Sequence, residues 1–330
     1  MFGVLVTRRL PAETRAALRS AGVSLDERPE DTPIPRRELL DRVSGVDGLL
    51  CMLSDRVDEE LLSRAGKNLR VVANYAVGYD NIDVEACTRH GVVATNTPGV
   101  NTIATADQTM ALLLAAARRT CEGDRMVRGG RWTGWAPTQL LGLDLDGAVL
   151  GIVGMGGIGT EVARRARAFG MTVRYHNRSR RPEVEQELGV EYEPDLHRLI
   201  SVADVISVHT PLTEGTRGLI GRRELELLGP SGILINTSRG PVVDEEALIE
   251  ALANDGIFAA GLDVYAHEPR VPEAMRDLEN VVLAPHLGSA THRTRAEMGR
   301  LCVEALVAVS RGEVPTNALN PEAARHWSVI

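Results

Sequence analysis

The stretch A-V-L-G-I-V-G-M-G-G-I-G, Ala148 to Gly159, decides the fold expected of this chain of 330 residues. Its apolar first half is typical of a buried strand, and a helix-like segment follows the glycines as far as Phe169. A second strand-like run, Met171 to Tyr175, completes the order of a βαβ unit. The G-x-G-x-x-G spacing in this context predicts a Rossmann-type, doubly wound parallel sheet that binds a dinucleotide.

The three glycines of the spacing have distinct physical roles. Gly154 would form the tight turn, and Gly156 would let the backbone approach a pyrophosphate. Gly159 would let helix and strand pack closely, so that the phosphates lie at the helix N-terminus. An ordinary strand-to-helix turn is the alternative, and the surrounding βαβ order argues against it.

The residues after the second strand bear on which nicotinamide cofactor is used. Asn177 stands where a chain built for NAD usually carries Asp or Glu, and Arg178, Arg180 and Arg181 lie close behind it. No carboxylate follows until Glu183. Guanidinium groups bind phosphate in a fork geometry, so this loop favours NADP(H), with NAD(H) still possible. A solvated basic loop is the alternative.

Three polar residues each follow a separate apolar, strand-like run. They are Arg239 in L-I-N-T-S-R-G-P-V-V, Glu268 in G-L-D-V-Y-A-H-E-P and His286 in V-V-L-A-P-H-L-G. Ligands of open α/β sheets bind at the carboxyl ends of strands, so we expect these side chains to converge. An Arg fork suits a carboxylate and a His–Glu pair suits proton transfer. Each residue alone could be structural, but their occurrence beside the fingerprint predicts a catalytic site.

Composition narrows the class of protein. The chain is 44% hydrophobic and 25% charged, which is ordinary globular usage, and its length suits one large or two ordinary domains. Its net charge of −8 argues against nucleic acid or a membrane surface as a partner. The four cysteines show no C-x-x-C spacing, so we expect reduced thiols and no metal site. With no signal-like N-terminal segment, a cytoplasmic location is expected.

One segment interrupts the regular alternation of strand-like and helical runs. From Glu122 to Asp146 the sequence contains several glycines, Trp132 and Trp135, and little periodicity. Long irregular segments of this kind are usually functional. We therefore expect an irregular interaction arm at about 122–146.

The chain resembles the D-isomer-specific 2-hydroxyacid dehydrogenases, and within them the glyoxylate/hydroxypyruvate reductases. Beyond the motifs above, the resemblance rests on A-N-Y-A-V-G-Y-D-N-I-D (Ala73–Asp83), T-N-T-P-G-V (Thr95–Val100), W-T-G-W-A-P (Trp132–Pro137) and G-S-A-T-H-R-T-R (Gly288–Arg295). It implies a flavodoxin-like α/β substrate domain formed by residues 1–100 and 288–330, and a dinucleotide-binding domain at 101–287. A cleft between the domains and a homodimer are also implied.

The resemblance further implies roles for individual residues. Arg239 would bind the substrate carboxylate, Glu268 would pair with His286, and His286 would be the acid/base. The backbone amides of Val77 and Gly78 would face the substrate carboxylate. The implied cofactor contacts are Gly154, Met155, Gly156, Gly157, Ile158 and Gly159 at the pyrophosphate, Asn177, Arg178, Ser179 and Arg181 at the adenosine ribose, and Thr237, Ser238 and Asp263 elsewhere along the cofactor. The family often carries Arg where this chain has Gly157, so one phosphate contact is expected to be missing.

The implied activity is the NAD(P)H-dependent reduction of glyoxylate or hydroxypyruvate to the 2-hydroxy acid of D configuration. A D-lactate- or phosphoglycerate-type dehydrogenase shares much of this scaffold and remains an alternative. A formate-type enzyme is disfavoured because it pairs its His with Gln, where Glu268 stands here. A non-enzymatic corepressor of the same fold, gated by the cofactor, is a further alternative that motifs alone do not exclude.

Overall fold

Parallel strands and helices alternate along the chain, whose computed structural model describes residues 1–327. The strands are β1 (Gly3–Val6), β2 (Ser24–Glu27), β3 (Gly48–Cys51), β4 (Val71–Asn74), β5 (Val93–Thr95), β6 (Val149–Val153), β7 (Thr172–His176), β8 (Glu191–Tyr192), β9 (Val205–Val208), β10 (Ile233–Asn236), β11 (Ala259–Leu262) and β12 (Val281–Leu283). The helices are α1 (Ala12–Ser20), α2 (Arg36–Arg42), α3 (Glu59–Ala65), α4 (Val84–Arg89), α5 (Thr102–Ala117), α6 (Thr120–Arg128), α7 (Gly157–Ala168), α8 (Pro182–Leu188), α9 (Leu196–Ser201), α10 (Arg222–Leu228), α11 (Glu245–Ala253), α12 (Glu273–Arg276) and α13 (His292–Ser310). Two 3-10 helices lie at Gly240–Val242 and Pro321–His326.

The chain divides into two units. The first contains residues 1–101 and the segment from Ala290 onward, and the second contains Thr102–Ser289. The last three residues of the predicted 288–330 segment lie outside the described residues.

The second unit is a parallel sheet of order β12-β11-β10-β9-β6-β7-β8. Strands β9 and β10 are buried along their whole length, as expected where both faces of a parallel sheet are covered. The strand order reverses between β6 and β9, which is the Rossmann arrangement and leaves a ligand-binding position at the carboxyl ends of these strands.

The first unit is a smaller parallel sheet of order β2-β1-β3-β4-β5, the flavodoxin-like order. Side chains alternate between its faces, so that Leu5 packs in one core cluster while Val4 and Val6 pack in the other. Helix α13, from the C-terminal part of the chain, packs against α1 and β4 and completes the second cluster. The predicted fold class, a Rossmann-type sheet with a further flavodoxin-like α/β unit, is confirmed.

The structure corrects several local predictions. Strands β2 and β8 were not predicted, because S-L-D-E and E-Y are polar edge strands without an apolar run. The predicted irregular arm is helical in its first part, where α6 has no buried residue and is held by ion pairs such as Arg128–Asp124. Apolar periodicity therefore gave no signal for α6.

Candidate active site

The fingerprint loop joins β6 to α7 at the carboxyl edge of the larger sheet. Gly154 has a φ of 103°, and a Cβ there would lie 2.8 Å from the carbonyl carbon of His209, after β9. A side chain is therefore excluded twice, by conformation and by the adjacent backbone. This contact ties the loop to the switch point of the sheet.

The other two glycines of the spacing have opposite surroundings. A Cβ on Gly159 would collide with the carbonyl oxygen of Gly154, whereas a Cβ on Gly156 would meet no heavy atom within 4 Å. Helix α7 thus packs closely on the turn, while its N-terminal approach stays open. These are the features that a pyrophosphate at a helix N-terminus requires, so this loop fits a dinucleotide.

The remaining loop residues refine the predicted contacts. The side chain of Met155 is fully buried, so only its backbone can contact a ligand. Ile158 packs in part against the core. A Cβ on Gly157 would lie 3.5 Å from the side chain of Thr102, an ordinary contact. A larger residue would therefore fit at position 157 without a steric clash.

The loop after β7 is held as a turn by Asn177. Its side-chain amide donates to the carbonyl of Ser179 at 2.8 Å, and its own carbonyl accepts the Tyr192 hydroxyl at 3.1 Å. Ser179 and Arg178 are exposed at the tip of this turn.

The three arginines of this loop differ in their partners. Arg180 pairs with Glu185 at 2.7 Å and lies over the Tyr192 ring. Arg181 pairs with Glu183 and also donates to the carbonyl of Met155 at 3.2 Å, which brings it to the fingerprint loop. Within residues 1–327, the guanidinium of Arg178 forms neither an ion pair nor a hydrogen bond.

Arg239 lies on a loop that Asn236, at the end of β10, holds in place. The buried Asn236 side chain accepts from the amide and hydroxyl of Ser238, at 3.0 and 2.9 Å, and donates to the Arg239 carbonyl at 3.0 Å. The Thr237 hydroxyl bonds to Thr109 of α5 at 2.8 Å. For the predicted nicotinamide contact, Thr237 therefore offers its backbone rather than its hydroxyl.

The loops that carry Arg239 and Glu268 are in direct backbone contact. A Cβ on Gly240 would collide with the carbonyl group of Tyr265, in the segment after β11. The amide of Tyr265 in turn donates to Glu268 Oε1 at 3.1 Å. Glycine after Arg239 thus brings the predicted substrate ligand close to the predicted acid/base pair.

Glu268 and His286 form a hydrogen-bonded pair. Nδ1 of His286 lies 2.8 Å from Oε2 of Glu268, and about a quarter of each side chain is exposed, 26% and 27% respectively. An ionised carboxylate only accepts, so Nδ1 carries the proton and donates. The other ring nitrogen, Nε2, is left to act on a ligand.

Asp263 holds the loop that carries His286. It is 1% exposed, and its two carboxylate oxygens accept the amides of Leu287 and Gly288, both at 2.7 Å. Its carbonyl accepts the His286 amide at 3.0 Å. Burial raises the pKa of Asp263, while these amide bonds and the nearby His286 oppose the shift. The contact of Asp263 with the cofactor stays a prediction, and the structure adds that both of its carboxylate oxygens accept amides of this loop.

In the first unit, Val77 and Gly78 follow β4 on a loop that two asparagines fix. Asn96 donates to the Val77 carbonyl at 2.7 Å, and Asn74 donates to the Gly78 carbonyl at 2.9 Å. In the described part of the chain, the amides of Val77 and Gly78 donate no hydrogen bond. They are therefore available for an anion, as the resemblance implies.

Sequence reasoning missed His209, although it follows a buried strand as Arg239 and His286 do. Its Nε2 lies 2.8 Å from Ser207 Oγ, and its backbone supports Gly154. Burial lowers the pKa of His209 to about 4, so the ring is neutral near pH 7. The sequence H-T-P-L, directly after the apolar run of β9, could have indicated a polar residue at the carboxyl end of this strand.

No group of three His, Cys, Asp or Glu residues within residues 1–327 could hold a metal ion. No helix in the same range is both long and apolar enough to cross a membrane.

The fold and the fingerprint loop define the class of Rossmann proteins that bind a nicotinamide dinucleotide. Residues 110–288 match the family model described as D-isomer specific 2-hydroxyacid dehydrogenase, NAD binding domain. The chain belongs to this family, and the predicted resemblance is confirmed.

Three named reductases show which members of this family the chain is similar to. The chain is 51% identical to a glyoxylate reductase of Thermococcus litoralis over 292 residues, 87% of this chain and 88% of that protein. It is 48% identical to a glyoxylate reductase of Korarchaeum cryptofilum over 324 residues, 98% and 97% of the two chains. An NADPH-dependent glyoxylate/hydroxypyruvate reductase of Sinorhizobium meliloti, solved with NADP and malonate, superposes with a TM-score of 0.85 at 34% identity over 99% of both chains.

Substitutions of Gly159 and Gly156 should separate folding from cofactor binding. Gly159→Ala places a methyl group against backbone, so we expect a loss of about 2 kcal/mol or more in the free energy of unfolding. Gly156→Ala has room and should change that free energy by less than about 1 kcal/mol, while weakening cofactor binding because the methyl group occupies the open approach. Urea unfolding and a cofactor titration followed by fluorescence measure both quantities. Equal destabilisation by the two variants would contradict the distinction.

Proposed function

We propose that this protein reduces a small 2-keto acid, glyoxylate or hydroxypyruvate, to the corresponding 2-hydroxy acid of D configuration. The observation that carries the proposal is the His286–Glu268 pair at 2.8 Å, on loops supported by Asp263 and in backbone contact with the Arg239 loop. The names of the glyoxylate reductase relatives support the substrate class.

Arg239 would bind the substrate carboxylate. The Asn236 amide donates to the Arg239 carbonyl at 3.0 Å, and Nη1 of Arg239 donates to the Ser238 carbonyl at 2.8 Å. A guanidinium fork matches the two oxygens of a carboxylate. We propose that the available amides of Val77 and Gly78 bind the same carboxylate, as the resemblance implies. Fixing the carboxylate orients the adjacent keto carbon, and holding reactants in position lowers the barrier substantially.

His286 would protonate the keto oxygen as negative charge develops on it. A reduced nicotinamide, when bound at the fingerprint loop, would supply the hydride for the keto carbon. Nε2 of protonated His286 gives its proton to the oxygen, and Glu268 keeps the ring oriented through Nδ1. A keto group thus gains one hydride and one proton and becomes a hydroxyl. Positioned proton transfer contributes about a hundred- to ten-thousand-fold to the rate.

Removing the imidazole is the direct test of this mechanism. We expect His286→Ala to lower kcat for glyoxylate at least about a hundredfold, while cofactor affinity changes little. His292→Ala, at an exposed histidine, is the matched control and should stay near the parent. Steady-state rates and a cofactor titration give the two quantities. If the parent binds cofactor but turns over no 2-keto acid, the corepressor alternative replaces this proposal.

We further propose NADP(H) as the favoured cofactor. Among the arginines after β7, Arg180 and Arg181 are engaged by carboxylates, whereas Arg178 is exposed at the turn that Asn177 holds. A 2′-phosphate would find a guanidinium here and no carboxylate at position 177 to repel it. The NADP-bound relative from Sinorhizobium meliloti supports this choice.

The cofactor preference can be tested with two arginine variants of equal charge. We expect kcat/KM with NADPH to exceed that with NADH by about one to two orders of magnitude, since a charge-assisted bond to phosphate contributes about 1.5–3 kcal/mol. Arg178→Met should remove most of this difference through KM. Arg180→Met, whose guanidinium is engaged by Glu185, should retain it. Equal use of both cofactors by the parent would show that Arg178 is surface charge.

We also propose that the chain forms a homodimer through the arm at about 122–146. In this arm, three large apolar side chains are mostly exposed: Trp132, Trp135 and Leu141, at 55%, 83% and 62%. Exposing so much apolar surface to water in one segment is unfavourable and is typical of an interaction surface. Helix α6, at the start of the arm, buries no residue. The family resemblance points to a second copy of this chain as the partner. A cytoplasmic location stays a prediction from the sequence.

Sedimentation velocity at micromolar concentration should give the mass of a dimer. Replacing Trp132 and Trp135 together by Ser should shift the protein towards monomer, because the buried apolar area is lost. Phe169→Ser, at an aromatic residue 44% exposed outside the arm, is the control and should leave the dimer intact. A monomeric parent would refute the dimer, and a dimeric double variant would remove the arm from the interface.

A further inference from the structure

Arg295, in the first turn of α13, lacks the partner that a half-buried guanidinium normally has. Within the part of the chain that the structure describes, residues 1–327, it forms no ion pair and its side chain donates no hydrogen bond. Other arginines of the first unit, such as Arg28, Arg36 and Arg42, are each held by carboxylates. A cation removed from water without a partner is costly, so Arg295 requires an explanation.

The position of Arg295 is fixed from the sheet side. Its carbonyl oxygen accepts the hydroxyl of Tyr75, which directly follows β4 and precedes Val77 by two residues. Tyr75 is buried in the core cluster that also contains Met298 of α13. The first turn of α13 is thereby anchored at the carboxyl end of β4, where the Val77–Gly78 loop begins.

A second cation of the same unit, Arg8, follows β1. Arg8 lies two residues after this strand, and Asp31 accepts from its Nε at 2.8 Å and, through its carbonyl, from its Nη2 at 2.9 Å. Burial lowers the pKa of Arg295, Tyr75 opposes this shift, and the positive charge of Arg8 adds to it. A half-buried guanidinium without a carboxylate partner favours an oxygen-bearing ligand.

The place in the fold is one where ligands bind. In a sheet of order β2-β1-β3-β4-β5 the switch point lies between β1 and β3, at the carboxyl ends of the strands. Arg8 follows β1 at this edge, and the amides of Val77 and Gly78 follow β4. The amides of Val77 and Gly78 could bind one carboxylate, and the guanidinium of Arg295 could bind a further oxygen.

We propose that Arg295, supported by Arg8, determines specificity by binding the oxygen substituent on C3 of a three-carbon 2-keto acid. This inference rests on the proposed function. Glyoxylate has no third carbon, hydroxypyruvate carries a hydroxyl there, and pyruvate has the same skeleton without that oxygen. A guanidinium N–H donating to the C3 oxygen therefore distinguishes the three compounds, and it leaves the hydride and proton transfers unchanged.

The test compares the three substrates in Arg295→Met at saturating NADPH. We expect kcat/KM for hydroxypyruvate to fall about 10- to 100-fold, mainly through KM, because one charge-assisted bond to the substrate is lost. Values for glyoxylate and pyruvate should stay within about threefold of the parent. Arg295→Lys keeps the charge and should recover part of the preference. Arg293→Met, at an exposed arginine in the same turn, is the control and should leave all three values unchanged.

Thermal unfolding and a cofactor titration of each variant show whether the fold is retained. An equal fall for all three substrates would overturn the inference and make Arg295 a structural residue. Unchanged hydroxypyruvate kinetics, or a parent that reduces glyoxylate but not hydroxypyruvate, would also overturn it and leave the proposed function standing. A parent that reduces none of the three compounds would instead remove the proposed function itself.

Discussion

The buried carboxylate of Asp263 is the interaction on which the candidate site depends. It follows β11 and accepts two consecutive backbone amides of the segment after β12. That segment contains His286, whose φ of 55° lies in the left-handed region and is unfavourable for a non-glycine residue. Two short bonds to a charged acceptor offset this cost, and the imidazole is then directed at Glu268. The geometry of the predicted acid is thus set by a residue that need not contact substrate.

Much of the second unit could be predicted from sequence because parallel strands covered on both faces appear as uninterrupted apolar runs. The same runs mark where each strand ends, which is why Arg239, Glu268 and His286 could be proposed together. Polar edge strands such as β8 carry no such signal, and α6 buries no residue. The role of Asp263 and the isolation of Arg295 depend on which groups lie nearby in space, and a sequence without its fold does not contain that information.

The loop after β7 shows how a cluster of like charges can serve two purposes. Glu185 and Glu183 of α8 engage Arg180 and Arg181, and Arg181 also donates to the Met155 carbonyl in the fingerprint loop. The remaining guanidinium, on Arg178, stays in solvent beside an amide rather than an acid. The three arginines carry the same charge, so the sequence alone does not distinguish them. Their contacts distinguish two arginines that form ion pairs from one that is exposed without an ion pair within residues 1–327.

The open space at Gly157 limits what this position can offer to an anion. Position 157 could hold a larger residue without steric conflict, since its nearest neighbour is an ordinary contact with Thr102. Glycine has no side chain, so the first residue of α7 presents only backbone to a phosphate at the helix N-terminus. Any cationic contact to such a phosphate must therefore come from another part of the chain.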